Sequence, residues 1–301
     1  MIGGAVDIQS LSNFEPASAE NKEAARFSPE ALMHSKRVVV IGGQVDANLA
    51  YRTIVYLKHL EALDEDAPIT LLINSPGGSV IDGMAMYDII RQIKCPIVTI
   101  GNGMQASMGS IMLASGDQRY MTPSADLMIH QIMTGANGGT QHTDFEIRSG
   151  HTARLHETLK SVYVEFTGLN HAYWDLVMER DTWLTADQAL KIGYIDGVTE
   201  SRKPGGKYAA EAKRDVPVDS LTAAVLEKIA KMGKDDVIQA LNNGQANSAE
   251  WGRFRPELVV RLAEFPEFWT AGRRAEAGLS ASNDDKKPAV RSSRKAQGPS
   301  A

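Results

Sequence analysis

Three short stretches carry side chains that could together do covalent chemistry. GMQASMGS (103–110) sets Ser107 among small residues, LMIHQ (127–131) ends an apolar run on His130, and MERDTWL (178–184) holds Asp181. A serine hydroxyl attacks a carbonyl when a base within hydrogen-bond reach takes its proton and a third group orients that base. Ser107 is then a candidate nucleophile, His130 a candidate base and Asp181 a candidate orienting acid. Each also has an ordinary explanation. Serine caps helices, an acid before a helix does the same, and a lone histidine is commonly a core or surface residue. The order Ser…His…Asp, with INSPGGSV (73–80) upstream, is far more specific than any single member. The adjacent glycines, Gly77 and Gly78, would let the backbone approach a ligand closely.

The elements that must position these residues are legible as an alternation. RVVVIGGQV (37–45), ITLLINSPGG (69–78) and CPIVTIGNG (95–103) read as strands, and RYMTPSADLMIHQ (119–131) supplies more. Helical patterns lie between them: from a cap at Asp46 to about Leu63, over 79–94, and from the serine octapeptide to Ser115. Strands alternating with helices imply βαβ crossovers and an α/β fold. A glycine-rich stretch (134–140) precedes a long polar-faced helix over 143–167, and 184–198 reads as a short helix and a closing strand. Residues 1–35 read as a mobile N-terminal arm, 36–198 as the core, and 199–301 as an extension. The extension opens on a charged linker with a Pro-Gly-Gly turn, carries short amphipathic helices near 221–232 and 256–265, and ends in a disordered tail.

Bulk properties narrow the function classes. A formal charge of −5 gives no reason to expect a nucleic-acid partner. The single cysteine, Cys95, excludes an internal disulfide framework and fits a reducing, cytoplasmic setting. Neither a secretory signal nor an apolar run long enough to span a membrane is expected. The GxxxxGK[ST] phosphate loop is absent from the sequence, so the chain is not expected to hydrolyse ATP itself.

Residues 36–198 resemble the proteolytic subunit of the Clp protease family, serine peptidases of the ClpP type. The resemblance runs in order through GQV (43–45), INSPGGSV (73–80), ASMGS (106–110), MIHQ (128–131), ERD (179–181) and LTADQALKIGYID (184–196). It implies a ClpP/crotonase-like fold of repeated ββα units with a protruding handle helix. It makes Ser107, His130 and Asp181 the catalytic triad and the backbone N–H groups of Gly78 and Met108 the oxyanion hole. Glu179 and Arg180 stand where the family has an acid–arginine pair linking ring contacts to triad alignment. The resemblance also implies heptameric rings stacked into a tetradecamer, no metal or cofactor, and unfolded polypeptides delivered by a separate AAA+ unfoldase ATPase that uses the ATP. Substrate would add as an extended strand beside the glycine-rich segment.

The sequence departs from the family pattern at several points. It has GMQASMG around the serine, Ile132 in place of a proline after the base, and Thr70 and Leu72 where relatives carry aromatic residues that receive the ATPase. The long extension is expected to emerge near that docking surface, reshape the pocket at Thr70 and Leu72, and be dispensable for cleavage of short peptides. Alternatives from other classes are a virus-type relative processing head or scaffold proteins, a crotonase-like acyl-CoA enzyme, and a catalytically silent ring subunit.

Overall fold

The computed structural model describes residues 29–134, 141–199, 220–242 and 252–279. The arm up to residue 28, the glycine segment from 135, the linker over 200–219 and the tail from 280 lie outside the described residues. Seven strands form one sheet: β1 (Val38–Gly42), β2 (Ile69–Ser75), β3 (Ile97–Ala106), β4 (Gln118–Met121), β5 (Asp126–Ile129), β6 (Thr182–Thr185) and β7 (Gly197–Val198). The order β1-β2-β3-β4-β7 is parallel throughout, as the βαβ alternation requires. The distal end of β3 leaves this path and pairs with β5, and β6 closes antiparallel on β5.

Helices α2 (Ala47–Leu63), α3 (Val80–Gln92) and α4 (Met108–Ala114) connect the early strands. Their starts are set by side chains. Asp46 accepts the Leu49 N–H at 2.8 Å, and Ser79 accepts the Asp82 N–H at 3.3 Å. In β2 the alternate residues Ile69, Leu71, Ile73 and Ser75 are buried, whereas Thr70 and Leu72 are half-buried. The 26-residue helix α5 (His142–Thr167) is exposed along its first ten residues and enters the core from Leu159 onward. It ends at Gly168 in a left-handed conformation (φ 67°) and is followed by α6 (His171–Met178), capped by Asn170. Between β6 and β7 lies α7 (Ala186–Lys191), started by a reciprocal Thr185–Gln188 capping box.

Two expectations about the flanks are corrected. The end of the N-terminal arm is not free chain: α1 (Pro29–Ser35) is a helix whose His34 packs on α2. The His34 ring lies 4.8 Å from Tyr56 and 5.0 Å from His59 between centroids, and its Nε2 is 2.7 Å from His59 Nδ1. Burial, with His59 and Arg37 nearby, lowers the pKa of His34, which favours the neutral ring in this contact.

The extension is likewise built into the core. Its helices α8 (Ser220–Lys231), α9 (Lys234–Asn242), α10 (Arg255–Ala263) and α11 (Ala271–Glu276) include two beyond those expected. Their main packing among the described residues runs to α6, β6 and α7. Leu258, Val259 and Leu262 of α10 are fully buried, and Tyr173 of α6 donates its hydroxyl to the Val259 carbonyl at 3.1 Å. Amphipathic stretches this short gain most of their stability from such packing, and here the surface they cover is the chain's own.

Tyr163, Tyr173 and Tyr194 are fully buried beside Trp174. Burial pushes the Tyr163 hydroxyl up to about 12 and raises the other two as well. The folded chain therefore keeps these protons above pH 10, where the unfolded chain loses them. Stability falls as pH rises wherever the unfolded state binds fewer protons. Melting temperature should hold below pH 9 and fall from about pH 10 upward, as followed by circular dichroism.

Candidate active site

The strand register explains why residues far apart in sequence meet. Parallel pairing aligns Ala106 of β3 with Met128 of β5, and the Ser107 N–H continues this ladder to the Met128 carbonyl at 3.0 Å. Antiparallel pairing aligns Ile129 with Thr182, so His130 and Asp181, one step beyond on each strand, become cross-strand neighbours. His130 Nδ1 lies 3.5 Å from Asp181 Oδ1. The histidine side chain is 10% exposed and the aspartate 64%.

Ser107 stands at the strand-to-helix junction with φ 53° and ψ −120°. Among the described residues, Arg37 is the one other non-glycine with positive φ. Such a conformation costs of order 1–3 kcal/mol and persists where the surroundings impose it, commonly at functional sites. It also bears on the choice between cap and nucleophile. A capping serine accepts a helix N–H, as Ser79 does, whereas the Ser107 side chain makes no such bond. Asp181 does not cap α7 either, because Thr185 does.

The serine turn is braced from below. Ser110 donates to the Ser107 carbonyl at 2.6 Å, its hydroxyl lies 2.9 Å from that of Tyr163 on α5, and Tyr194 donates to the Ser110 carbonyl at 2.9 Å. Above it runs the glycine pair. A Cβ on Gly77 would fall 2.6 Å from the Ser107 Cβ and 2.9 Å from the Met108 nitrogen, so only glycine fits (φ 89°). Gly78 (φ 151°) passes Val45 as closely: the Gly77 carbonyl accepts the Val45 N–H, and the Ser79 N–H donates to the Val45 carbonyl, both at 2.8 Å. Among the described residues no backbone acceptor takes the Gly78 N–H. The Met108 N–H, first in α4, has no acceptor within its helix. Gly78 and Met108 both line the cleft that holds Ser107, Met108 at a helix start that favours negative charge.

Ser107, His130, Gly77, Gly78 and Met108 share a cleft of about 330 Å³ whose apolar wall includes Val80, Ile111 and Leu159. Asp181 opens instead on an adjoining cavity of about 430 Å³ with His130, Glu179, Arg180 and Arg255. The Arg180 guanidinium contacts Glu179 Oε1 at 2.6 Å, and Gln131 donates to the Glu179 carbonyl at 3.1 Å. Among the described residues no group of three or more His, Cys, Asp or Glu side chains is arranged to hold a metal ion. No described helix is long and apolar enough to cross a membrane.

The sequence that builds this site is matched by known proteins. The Clp protease family model matches residues 21–202. The chain belongs to the Clp protease family. ATP-dependent Clp protease proteolytic subunits of Streptococcus pneumoniae, from strains Hungary19A-6, CGSP14 and R6, are each 39% identical to it over 164 residues. That match covers 54% of this chain and 84% of each relative. The ClpP-like α/β fold and serine-type peptidase chemistry expected from the six motifs are therefore established for the Clp-family core. The 164 matched residues leave much of the chain outside the comparison, and the extension contributes a residue to the cavity beside Asp181 that the sequence did not single out. Arg255 was legible as no more than the residue before a helix-opening proline, yet it lies in the cavity beside Asp181.

Proposed function

We propose that Ser107, His130 and Asp181 form the catalytic triad of a Clp-type endopeptidase, with the Gly78 and Met108 N–H groups as its oxyanion hole. The observation carrying this reading is the β3–β5–β6 register, which gathers three motifs scattered over 75 positions of sequence around one strained serine. His130 takes the Ser107 proton as Oγ attacks the peptide carbonyl carbon. The oxyanion is held by the two backbone donors, each worth about 100-fold or more in such sites. His130 then passes the proton to the leaving amine, and water repeats the sequence on the acyl-enzyme. Asp181 fixes the imidazole tautomer and stabilises its cation. No step needs a metal or organic cofactor.

An extended peptide lying along the cleft would bond through its main chain, which tolerates many side chains and suits unfolded polypeptide delivered by a separate AAA+ ATPase. The exposed first half of α5 supports a handle between stacked heptameric rings, and Glu179–Arg180 a role in sensing that contact. Enclosure in such a chamber fits a cytoplasmic enzyme that must spare folded proteins. Purified protein should run as closed rings or stacked pairs of rings by mass photometry, whereas a monomer with full peptidase activity would refute the coupling of assembly to catalysis.

Asp181→Asn tests the triad without removing a reacting atom. It should lower kcat for a fluorogenic peptide by about 10⁴-fold, because an amide stabilises neither the required tautomer nor the cation. Unchanged kcat would remove Asp181 from the triad.

A further inference from the structure

The contact between His130 Nδ1 and Asp181 Oδ1, 3.5 Å, is longer than the 2.7–2.9 Å of a well-formed charge-assisted hydrogen bond. Asp181 is exposed and sits on the turn between α6 and β6, so its placement depends on what holds that turn. The turn is held by the extension. Arg255 donates through Nε to Thr182 Oγ1 at 2.8 Å, and through Nη2 to the Leu176 and Val177 carbonyls at 2.6 and 3.2 Å. The Thr182 hydroxyl lies 2.9 Å from the Val177 carbonyl and 3.1 Å from the Arg180 carbonyl. One guanidinium thus caps the carbonyl end of α6, where acceptors lack partners within the helix, and ties it to the first residue of β6. Asp181 lies in the four-residue stretch between those two anchors, immediately before Thr182.

The cost of this arrangement argues against a purely structural role. Arg255 is 3% exposed, its Nη1 has no hydrogen-bond partner, and among the described residues no carboxylate lies within 4.0 Å of its guanidinium. Glu179 acts on it from longer range and Arg180 opposes it, and a buried cation without a close ion pair contributes little to stability compared with an apolar side chain of similar size. Its groups instead bound the cavity shared with His130 and Asp181.

We infer that Arg255 is a positioning residue through which the C-terminal extension sets the distance of Asp181 from His130, so that the extension tunes the peptidase from within the same chain. The inference rests on the triad reading above. Displacing α10, by a bound partner or by a change in ring packing, would release the α6–β6 turn and lower turnover with the Ser107 cleft intact.

The test uses the assembled full-length protein and a fluorogenic peptide, with Arg255→Ala, Arg255→Lys and Asp181→Asn variants. Arg255→Ala should lower kcat by about 10- to 100-fold with KM changed less than about twofold, as for a small displacement of a catalytic group. Methylguanidinium in the buffer should restore part of that kcat, and Arg255→Lys should retain more activity than Arg255→Ala. On the Asp181→Asn background, Arg255→Ala should cost less than about twofold more, because the effect passes through the missing carboxylate. Equal losses on both backgrounds, or a loss in Arg255→Lys that simply tracks its melting temperature, would overturn the inference. If Asp181→Asn alone leaves kcat unchanged, the triad reading fails first, and the two failures are distinguishable. Should Arg255→Ala not fold, the Arg255→Lys pair of cycles gives the same decision.

Discussion

Ser107→Ala should abolish both peptide cleavage and labelling by a fluorophosphonate probe while leaving ring assembly unchanged. The loss in kcat is expected at about 10⁶-fold, the scale seen when a serine nucleophile is removed from a triad, with residual rate from binding and the oxyanion donors. Assembly and melting should be nearly indifferent. The Ser107 side chain makes no cap bond, and the turn is held by the Ser107 N–H to Met128, by Ser110 and by the glycine pair. Alanine keeps the Cβ and the strained φ, so a stability change within about 0.5 kcal/mol is expected. Equal labelling of the wild type and Ser107→Ala, read by in-gel fluorescence and intact mass, would sink the assignment. Labelling lost together with the ring would show that the serine turn is structural.

Much of this site is legible in sequence, and what is not has physical reasons. The βαβ alternation survives because buried parallel strands such as ITLLIN and IVTIG are continuous apolar runs with glycine punctuation. The choice between cap and nucleophile at Ser107 could not be made from residue types, because both need a small polar residue before a helix. The backbone dihedrals and the missing cap bond speak against the cap and support the nucleophile we propose. The His130–Asp181 contact depends on the register of β5 and β6, two four-residue strands separated by more than fifty positions. No local periodicity encodes such a pairing. Arg255 was hidden for a related reason. An arginine before a proline looks like exposed chain, and only tertiary packing of α10 buries it against α6. The helix Pro29–Ser35 was not legible because about two helical turns carry little periodicity, and its contacts come from His34 meeting Tyr56 and His59.

Deleting residues 199–301 separates a dispensable tail from an integral part of the peptidase. A docking appendage near Thr70 and Leu72 could be removed with short-peptide cleavage intact, since the triad would lie elsewhere. The structure gives the opposite expectation. Deletion strips Tyr173 of the Val259 carbonyl that satisfies its hydroxyl and of the Phe268 ring 6.2 Å away. It also removes the Phe268 carbonyl from the Asn170 N–H at 2.7 Å and the Glu267 carbonyl from the Asn170 side chain at 2.7 Å, both at the start of α6. The carbonyl end of α6 loses Arg255. Helix α6 would then keep neither brace, with Tyr173 facing water. An unsatisfied or newly exposed group of this kind costs about 1–3 kcal/mol, and several together approach the 5–15 kcal/mol by which a typical domain is stable. The truncated chain should therefore melt lower by about 10 °C or more and cleave short peptides far more slowly, with Ser107 labelling slowed in parallel. Differential scanning fluorimetry and a fluorogenic peptide assay on the same preparations decide it. If the truncated rings melt within a degree or two of full length and cleave at full rate, the extension neither supports α6 nor sets the triad. If they melt normally but turn over slowly at unchanged KM, the extension's contribution is to the position of Asp181 alone, and Arg255 is the residue through which it acts.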